Sequence, residues 1–343
     1  MSDLEPIFLR ACRGLPVPHT PVWLMRQAGR YQPEYRALRQ RVSFLELCRS
    51  SDLAAEVTVM AVQQLGVDAG IIFADILLVL EPMGLPISFG TDGDGPRIER
   101  PVSSRADIDA LVGDIDLRPL ESTCEAIRKF RIALPHTPVI GFAGAPFTLA
   151  SYAIEGGGSK NYVKTKSLMY SDESAFSTLM GRLVDSTSRF LNAQIEAGAQ
   201  VVQVFDSWAG ALSPDDYRRY VLPHMKRLIG SIKPGTPVIS FGTGTGGFLE
   251  ELAAAGPSVV GVDWRLDLTE ARRRLPTHVL QGNLDPVTLF GPLDELEKRV
   301  RTIVQAMHGG PGHIFNLGHG ILPGTPVETV QALVRMVHEL SAA

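Results

Sequence analysis

Eight short apolar runs, each closing on a glycine or a polar residue, limit what this chain can fold into more than any other feature. They are Val22–Met25, Ala69–Ala74, Val139–Phe142, Val201–Phe205, Val238–Phe241, Val259–Val262, Val279–Gly282 and His313–Leu317. Within them the apolar residues are continuous rather than alternating, which is the pattern of strands buried on both faces of a parallel sheet. Stretches of helical spacing lie between them and include Leu53–Leu65, Ser174–Ala197, Pro214–Ile229, Leu293–Met307 and Val327–Leu340. Asp52, Ser213-Pro214 and Thr325-Pro326 supply a cap residue or a first-turn proline at several of their starts. Strand-then-helix units in this number predict an α/β fold, a (β/α)8 TIM barrel, with an open doubly wound sheet as the alternative. Gly84 to Pro101 breaks the pattern. Its TDGDG core, flanked by Ile87, Phe89 and Ile98, predicts a small hairpin excursion near residues 84–101. No Ser/Gly linker, charge block or fixed-period repeat divides the sequence, so residues 1–343 are expected to form one domain.

Several function classes are disfavoured by composition. The net charge of -4 carries no signal for nucleic acid, and 45% hydrophobic residues are too many for a disordered chain. The longest apolar run, Ile71 to Leu80, is interrupted by Asp75 and is too short to span a bilayer. Acidic residues appear early in MSDLEPIFLRACRG, unlike a secretory leader, so a cytoplasmic protein is expected. Cys12, Cys48 and Cys124 are odd in number and widely spaced, which predicts neither a disulfide framework nor a zinc site. The eight histidines form no H-E-x-x-H or H-x-C element, so no metal site is expected.

In a barrel, chemistry sits at the C-terminal ends of the strands. Those ends carry Arg26, Asp75, Gly144, Asp206-Ser207, Gly242, Asp263, Asn283 and His319. The first opens an arginine cluster of Arg26, Arg30, Arg36, Arg39 and Arg41 opposed locally only by Glu34. A guanidinium fork matches a carboxylate bidentately. Arg26 and Arg30 directly follow a predicted strand and are expected to bind anions, whereas Arg36 and Arg41 are expected on the surface. Asp75, with apolar residues on both sides in IIFADILLVL, needs partners if ionised. It is either a cap for the following segment or a site carboxylate. Tyr152, on a helical stretch running into EGGGS, and Ser207, in VVQVFDSWAG, carry no local nucleophile motif. His319, between Gly318 and Gly320, lies on a turn at a strand end. Gly242-Thr243-Gly244-Thr245-Gly246-Gly247 matches G-x-G-x-x-G, with Asp263 at the distance of a ribose contact. Its place in the middle of an eight-unit series argues against a dinucleotide site.

Two segments, PVWLMRQAGRY (Pro21–Tyr31) and GFAGAPFTLASY (Gly141–Tyr152), resemble the signatures of the uroporphyrinogen decarboxylase family. FADIL around Asp75, the EGGGS tract, FDSWAG around Ser207 and NLGHG around His319 follow in that family's order. The resemblance implies a homodimeric barrel that converts uroporphyrinogen III to coproporphyrinogen III by removing the carboxyl groups of four acetates, with no cofactor. It also implies a substrate site of Arg26, Arg30, Arg39, Phe44, Asp75, Tyr152, Ser207 and His319. Of these, Asp75, Arg26, Tyr152 and His319 would be catalytic. A corrinoid-linked methyltransferase shares such a barrel but needs zinc held by a His-x-Cys element, which is missing here. A non-catalytic tetrapyrrole carrier is a further alternative.

Overall fold

The computed structural model describes residues 5–90 and 95–342. Seven parallel strands form one curled sheet in chain order: Gly70–Ile71, Val139–Gly144, Val201–Asp206, Val238–Gly242, Val259–Gly261, Val279–Gln281 and His313–Ile314. Register runs without slippage from Gly70 opposite Val139 to Leu280 opposite His313. The sequence order of neighbours rules out the doubly wound alternative, which requires a reversal of strand order.

The eighth predicted strand, Val22–Met25, is a correction. Only Val22 pairs, as an isolated parallel bridge to Phe315. The segment still joins the two ends of the sheet. Phe315 N–H donates to the Pro21 carbonyl at 2.9 Å, and Asp68 N–H donates to the Val22 carbonyl at 2.8 Å. A regular ladder cannot form because side chains take the backbone donors. Val22 N–H goes to Asp68 Oδ2, Leu24 N–H to Gln27 Oε1 and Met25 N–H to Asn316 Oδ1. Pro21 has no N–H to offer.

The same competition shortens the predicted Ala69–Ala74 strand to Gly70–Ile71, since Phe73 N–H donates to Thr58 Oγ1 at 3.0 Å. This leaves a gap beside the next strand. In a parallel ladder alternate residues turn both backbone groups to the same side. Ile140 meets Ile72 on that side, and Phe142, two residues on, finds no strand partner there. Gln194, from the long helix Glu173–Glu196, fills the gap. Its Oε1 accepts from Phe142 N–H and its Nε2 donates to Phe142 O, both at 2.9 Å. Gln194→Leu would orphan two buried backbone groups. We expect it to lower stability by about 2–4 kcal/mol, read as a reduced denaturation midpoint with an unchanged slope.

Trp23, Met25, Ile140, Val201, Ile239, Val259 and Ile314 belong to one buried cluster, which is completed by Phe8, Leu9, Ala11 and Cys12. The N-terminal helix Ile7–Cys12 therefore packs on the barrel interior. Trp23 Nε1 donates to Gln281 Oε1 at 2.9 Å and Gln281 Nε2 donates to Gln203 Oε1 at 3.1 Å, a buried chain that ends at Gln203 Nε2, which has no partner among the described residues.

The hairpin pairs Ile87–Phe89 with Pro96–Ile98, Ile87 opposite Ile98; of its TDGDG turn, residues 91–94 lie outside the described residues. Pro214–Ile229 is not one regular helix. It passes from a turn at Pro214–Asp216 through a wide turn at Tyr217–Val221 into Leu222–Gly230. Pro223 has no N–H to bond back along the chain, which interrupts the α-helical ladder there. Among the described residues no helix is long and apolar enough to cross a membrane.

Candidate active site

Past the C-terminal ends of the strands, loops gather around Arg26. This residue is in the left-handed region, with φ at +62°. Its arm lies against the turn at Gly318–Gly320. A Cβ on Gly320 would fall 2.5 Å from Arg26 Cδ, so only glycine leaves room for the arm. Three charged or phenolic neighbours act on the guanidinium. Burial and like charge on Arg30 lower its pKa, while Asp75 and Tyr152 oppose that shift. The side chain nonetheless remains exposed by area.

Asp75 follows the Gly70–Ile71 strand. Its Oδ1 accepts from Leu77 N–H at 2.8 Å, closing a turn before the short helical turn Leu78–Leu80. The two readings of Asp75 therefore coexist: it caps the following segment with one oxygen and leaves Oδ2 without a hydrogen-bond partner among the described residues. Burial pushes its carboxyl up to about 6, with the Leu77 N–H and the Arg26 charge pulling the other way. Asp75 and Arg26 form no ion pair among the described contacts. Each shifts in the direction that burial dictates, so desolvation outweighs their attraction.

Tyr152 lies on the helix Pro146–Glu155, which ends at Gly156 in the left-handed conformation. Its ring stacks on Trp208 with centroids 3.8 Å apart and planes 25° from parallel. Burial, Asp75 and Tyr162 raise its phenol, keeping the hydroxyl protonated at neutral pH. Trp208 was not singled out in the sequence. Its backbone N–H donates to Thr148 Oγ1, whose hydroxyl donates to Asp206 Oδ1 at 2.7 Å. Asp206 is buried, its Oδ2 unpaired among the described residues, and burial raises its pKa to about 6. Ser207 sits half-buried between Asp206 and Trp208, and its hydroxyl makes no hydrogen bond within the described residues.

His319 shares this face. Its ring meets Trp264 edge-on at 5.9 Å, and burial together with Arg26 lowers its pKa, so the neutral imidazole prevails at pH 7. Arg39 and Phe44 pack against each other next to Phe73, two residues before Asp75. The Arg39 guanidinium lies 5.8 Å from the Phe44 ring, which packs on Phe73 and on Phe89 of the hairpin. Arg30 is exposed. Arg36 has a use the sequence did not disclose: its Nη1 donates to the carbonyls of Arg30 at 3.0 Å and Tyr31 at 2.8 Å, holding the loop that presents Arg30. Arg41 is exposed, as expected of a surface arginine.

The glycine-rich segment is turned inward. Asp263, the residue at ribose-contact spacing, accepts from Gly244 N–H, Arg265 N–H and the Arg265 guanidinium. A carboxylate occupied by the glycine-rich loop and by Arg265 does not serve as a ribose acceptor, and this accounts for the G-x-G-x-x-G match without a dinucleotide. The three cysteines are free and buried, and none joins a cluster of possible metal ligands among the described residues.

The sequence matches the family model described as Uroporphyrinogen decarboxylase (URO-D) over residues 4–340. The chain belongs to the uroporphyrinogen decarboxylase family. The Uroporphyrinogen decarboxylase of Carboxydothermus hydrogenoformans is 52% identical over 342 residues, covering 99% of this chain and 97% of that protein. That of Solibacter usitatus is 51% identical over 342 residues, covering 99% of both chains. Among solved structures, a methyltransferase from Methanosarcina mazei superposes with a TM-score of 0.82 over 97% of each chain at 22% identity, which shows a shared fold. The uroporphyrinogen decarboxylase family and that methyltransferase thus share a barrel, and only the residues at its open face can separate their chemistry.

If Asp75 acts as an anion, kcat/KM should rise with pH through about 6, because burial raises its pKa and only the deprotonated form carries charge. Asp206 titrates in the same range. The pH profile of Asp206→Asn should therefore keep the rising limb, and that of Asp75→Asn should lose it.

Proposed function

We propose that this chain decarboxylates the four acetate side chains of uroporphyrinogen III, giving coproporphyrinogen III and four CO2 without a cofactor. The observation that carries this reading is the pair Asp75 and Arg26, close enough to influence each other's charge yet not spent on each other. Loss of CO2 leaves an electron pair that needs a sink. Protonation of a pyrrole carbon makes the substrate ring cationic and able to accept that pair. CO2 then departs to leave an exocyclic methylene. A proton added there and one lost from the ring carbon give the methyl group, so each acetate consumes one proton overall.

Asp75 Oδ2 is open to pyrrole N–H donors, and its charge stabilises the cation in a cleft of low polarity. Arg26, with Arg30 and Arg39, holds substrate carboxylates. Tyr152, braced by Trp208, and the neutral His319 supply hydrogen-bond donors around the reacting ring. Ser207 and Phe44 line the cleft. Arg26 is ill suited as the acid, since even a lowered guanidinium pKa stays far above neutrality, and the proton donor is left unassigned.

The deciding experiment is an anaerobic assay of purified protein with uroporphyrinogen III, following coproporphyrinogen III. A tetrapyrrole carrier would bind and not turn over. Turnover should also survive exhaustive chelation, because none of the proposed site residues belongs to a metal-ligand cluster. Activity lost to a chelator while the protein stays folded, and restored by zinc, would revive the methyltransferase reading.

The reading extends to a cytoplasmic homodimer with a single catalytic domain. Three unpaired cysteines are compatible with a reducing compartment. Val287, Phe290 and Leu293 are 58%, 49% and 51% exposed, which supplies apolar surface for a second copy. Sedimentation equilibrium would test the dimer.

A further inference from the structure

Three segments far apart in sequence converge at the opposite end of the barrel. His19 precedes the bridging segment, Asp68 precedes the Gly70–Ile71 strand, and His338 lies on the last helix, Val327–Ser341. All three are half-buried, and one possible ligand atom from each falls within 4.8 Å of the others. His338 Nε2 is 2.8 Å from Asp68 Oδ2, and His19 Nε2 is 3.8 Å from Asp68 Oδ1. The two imidazole centroids are 4.5 Å apart, tilted by 55°. His19 Nε2 is shielded from solvent and has no hydrogen-bond partner.

We propose that His19, Asp68 and His338 form a binding site for a divalent transition-metal ion of the zinc class, structural rather than catalytic. Two imidazoles and a carboxylate are a borderline-soft donor set that suits zinc, cobalt or nickel. Ligand atoms about 2.0–2.1 Å from a tetrahedral ion lie about 3.4 Å apart. The two separations, 2.8 Å to Asp68 Oδ2 and 3.8 Å to Asp68 Oδ1, fall on either side of that spacing but reach different oxygens, so the carboxylate turns to present one of them to the ion. An ion pair alone would need only one histidine. The second imidazole, packed against the first, would add like charge if protonated and would leave a buried nitrogen unpaired if neutral. A cation shared by all three resolves both problems. Asp68 Oδ2 also accepts from Val22 N–H at 2.7 Å, which orients the carboxylate. An open cavity lined by Gln64, Gln331, Arg335 and His338 borders the site, so water can complete the coordination.

The site's position suggests its purpose. The barrel closes here through the single bridge between Val22 and Phe315 rather than through a full strand. An ion held by residues 19, 68 and 338 would tie the entering segment, the first strand and the final helix together. No spacing motif links these positions, which is why the sequence carried no sign of a metal.

The test uses the full chain freed of metal by chelation and dialysis, with Zn2+ or Co2+ as the probe. One Zn2+ per chain should bind in equilibrium dialysis. At about a hundredfold excess over Kd it should raise Tm by about 3–5 °C. Co2+ should give visible d–d absorption of a low-symmetry site. His19→Ala removes a ligand that makes no hydrogen bond, so the variant should fold. It should weaken Zn2+ binding by at least about tenfold and abolish the Co2+ spectrum, and His338→Ala should behave likewise. His136→Ala and His308→Ala, at exposed histidines outside the cluster, should bind as the parent does. Stoichiometry well below one, or undiminished binding by folded His19→Ala, overturns the proposal. Catalytic activity is a separate readout, because the site lies at the strands' N-terminal ends, away from Asp75 and Arg26.

Discussion

Asp75→Asn is expected to slow single-turnover decarboxylation by about 10²–10³-fold while leaving the fold intact. The magnitude is that of removing one preorganised electrostatic partner from a developing charge. Asn retains the oxygen that accepts from Leu77 N–H, so the turn before Leu78–Leu80 survives. Only the charge is lost, and the cationic ring exists only along the reaction path. The chemical step should therefore suffer more than product binding. Stability should move the opposite way. Asp75 binds its proton at about 6 in the folded chain against an ordinary value of 3.8. Its contribution is thus most favourable below pH 3.8 and turns against folding as pH rises through 6. At pH 7 the Asn variant should be as stable as the parent or more so, by at most about 3 kcal/mol. Asp75→Glu keeps the charge and should retain more activity than Asn if charge outweighs geometry. A stable Asn variant with near-parental turnover would return Asp75 to the role of a simple cap.

Arg26→Ala is expected to lower kcat/KM by about 30–1000-fold, equivalent to about 2–4 kcal/mol of transition-state stabilisation. The backbone complicates the readout, since residue 26 is in the left-handed region. Ala pays the same steric cost there as Arg, whereas Gly relieves it. Running Arg26→Gly beside Arg26→Ala separates the lost guanidinium from the strained backbone: both should be slow, with the Gly variant the more stable. Arg41→Ala, at an exposed position, should change kcat/KM less than about twofold. Equal losses at 26 and 41 would mean that the arginines act only as a diffuse positive field.

The alternation of buried strands and helices was legible because it is a local property. A strand covered on both faces must be apolar along its length wherever it sits in the barrel. The strand ends were legible for the same reason, and with them Arg26, Asp75, Ser207 and His319. The resemblance to a family added Arg39, Phe44 and Tyr152 as site residues, and the structure places Tyr152 near Asp75 and Arg26 and packs Phe44 against Phe73 and Phe89, beside Arg39.

Other features depend on where a distant side chain comes to rest. Val22–Met25 has the composition of a strand, but Asp68, Gln27 and Asn316 take its backbone donors and reduce it to one bridge. Gln194 completes a strand edge 52 residues away, Arg36 secures the loop of Arg30, and Trp208 braces Tyr152. Asp263 has the spacing of a cofactor residue and is occupied by Gly244 N–H and the Arg265 guanidinium. His19, Asp68 and His338 meet only because the barrel closes on itself. By itself the sequence determined the succession of elements and the residues at their ends, since backbone burial leaves a periodic mark on neighbouring positions. The tertiary structure decided which side chains replace missing backbone partners and which charges share a cleft, because those contacts join residues that no local pattern connects.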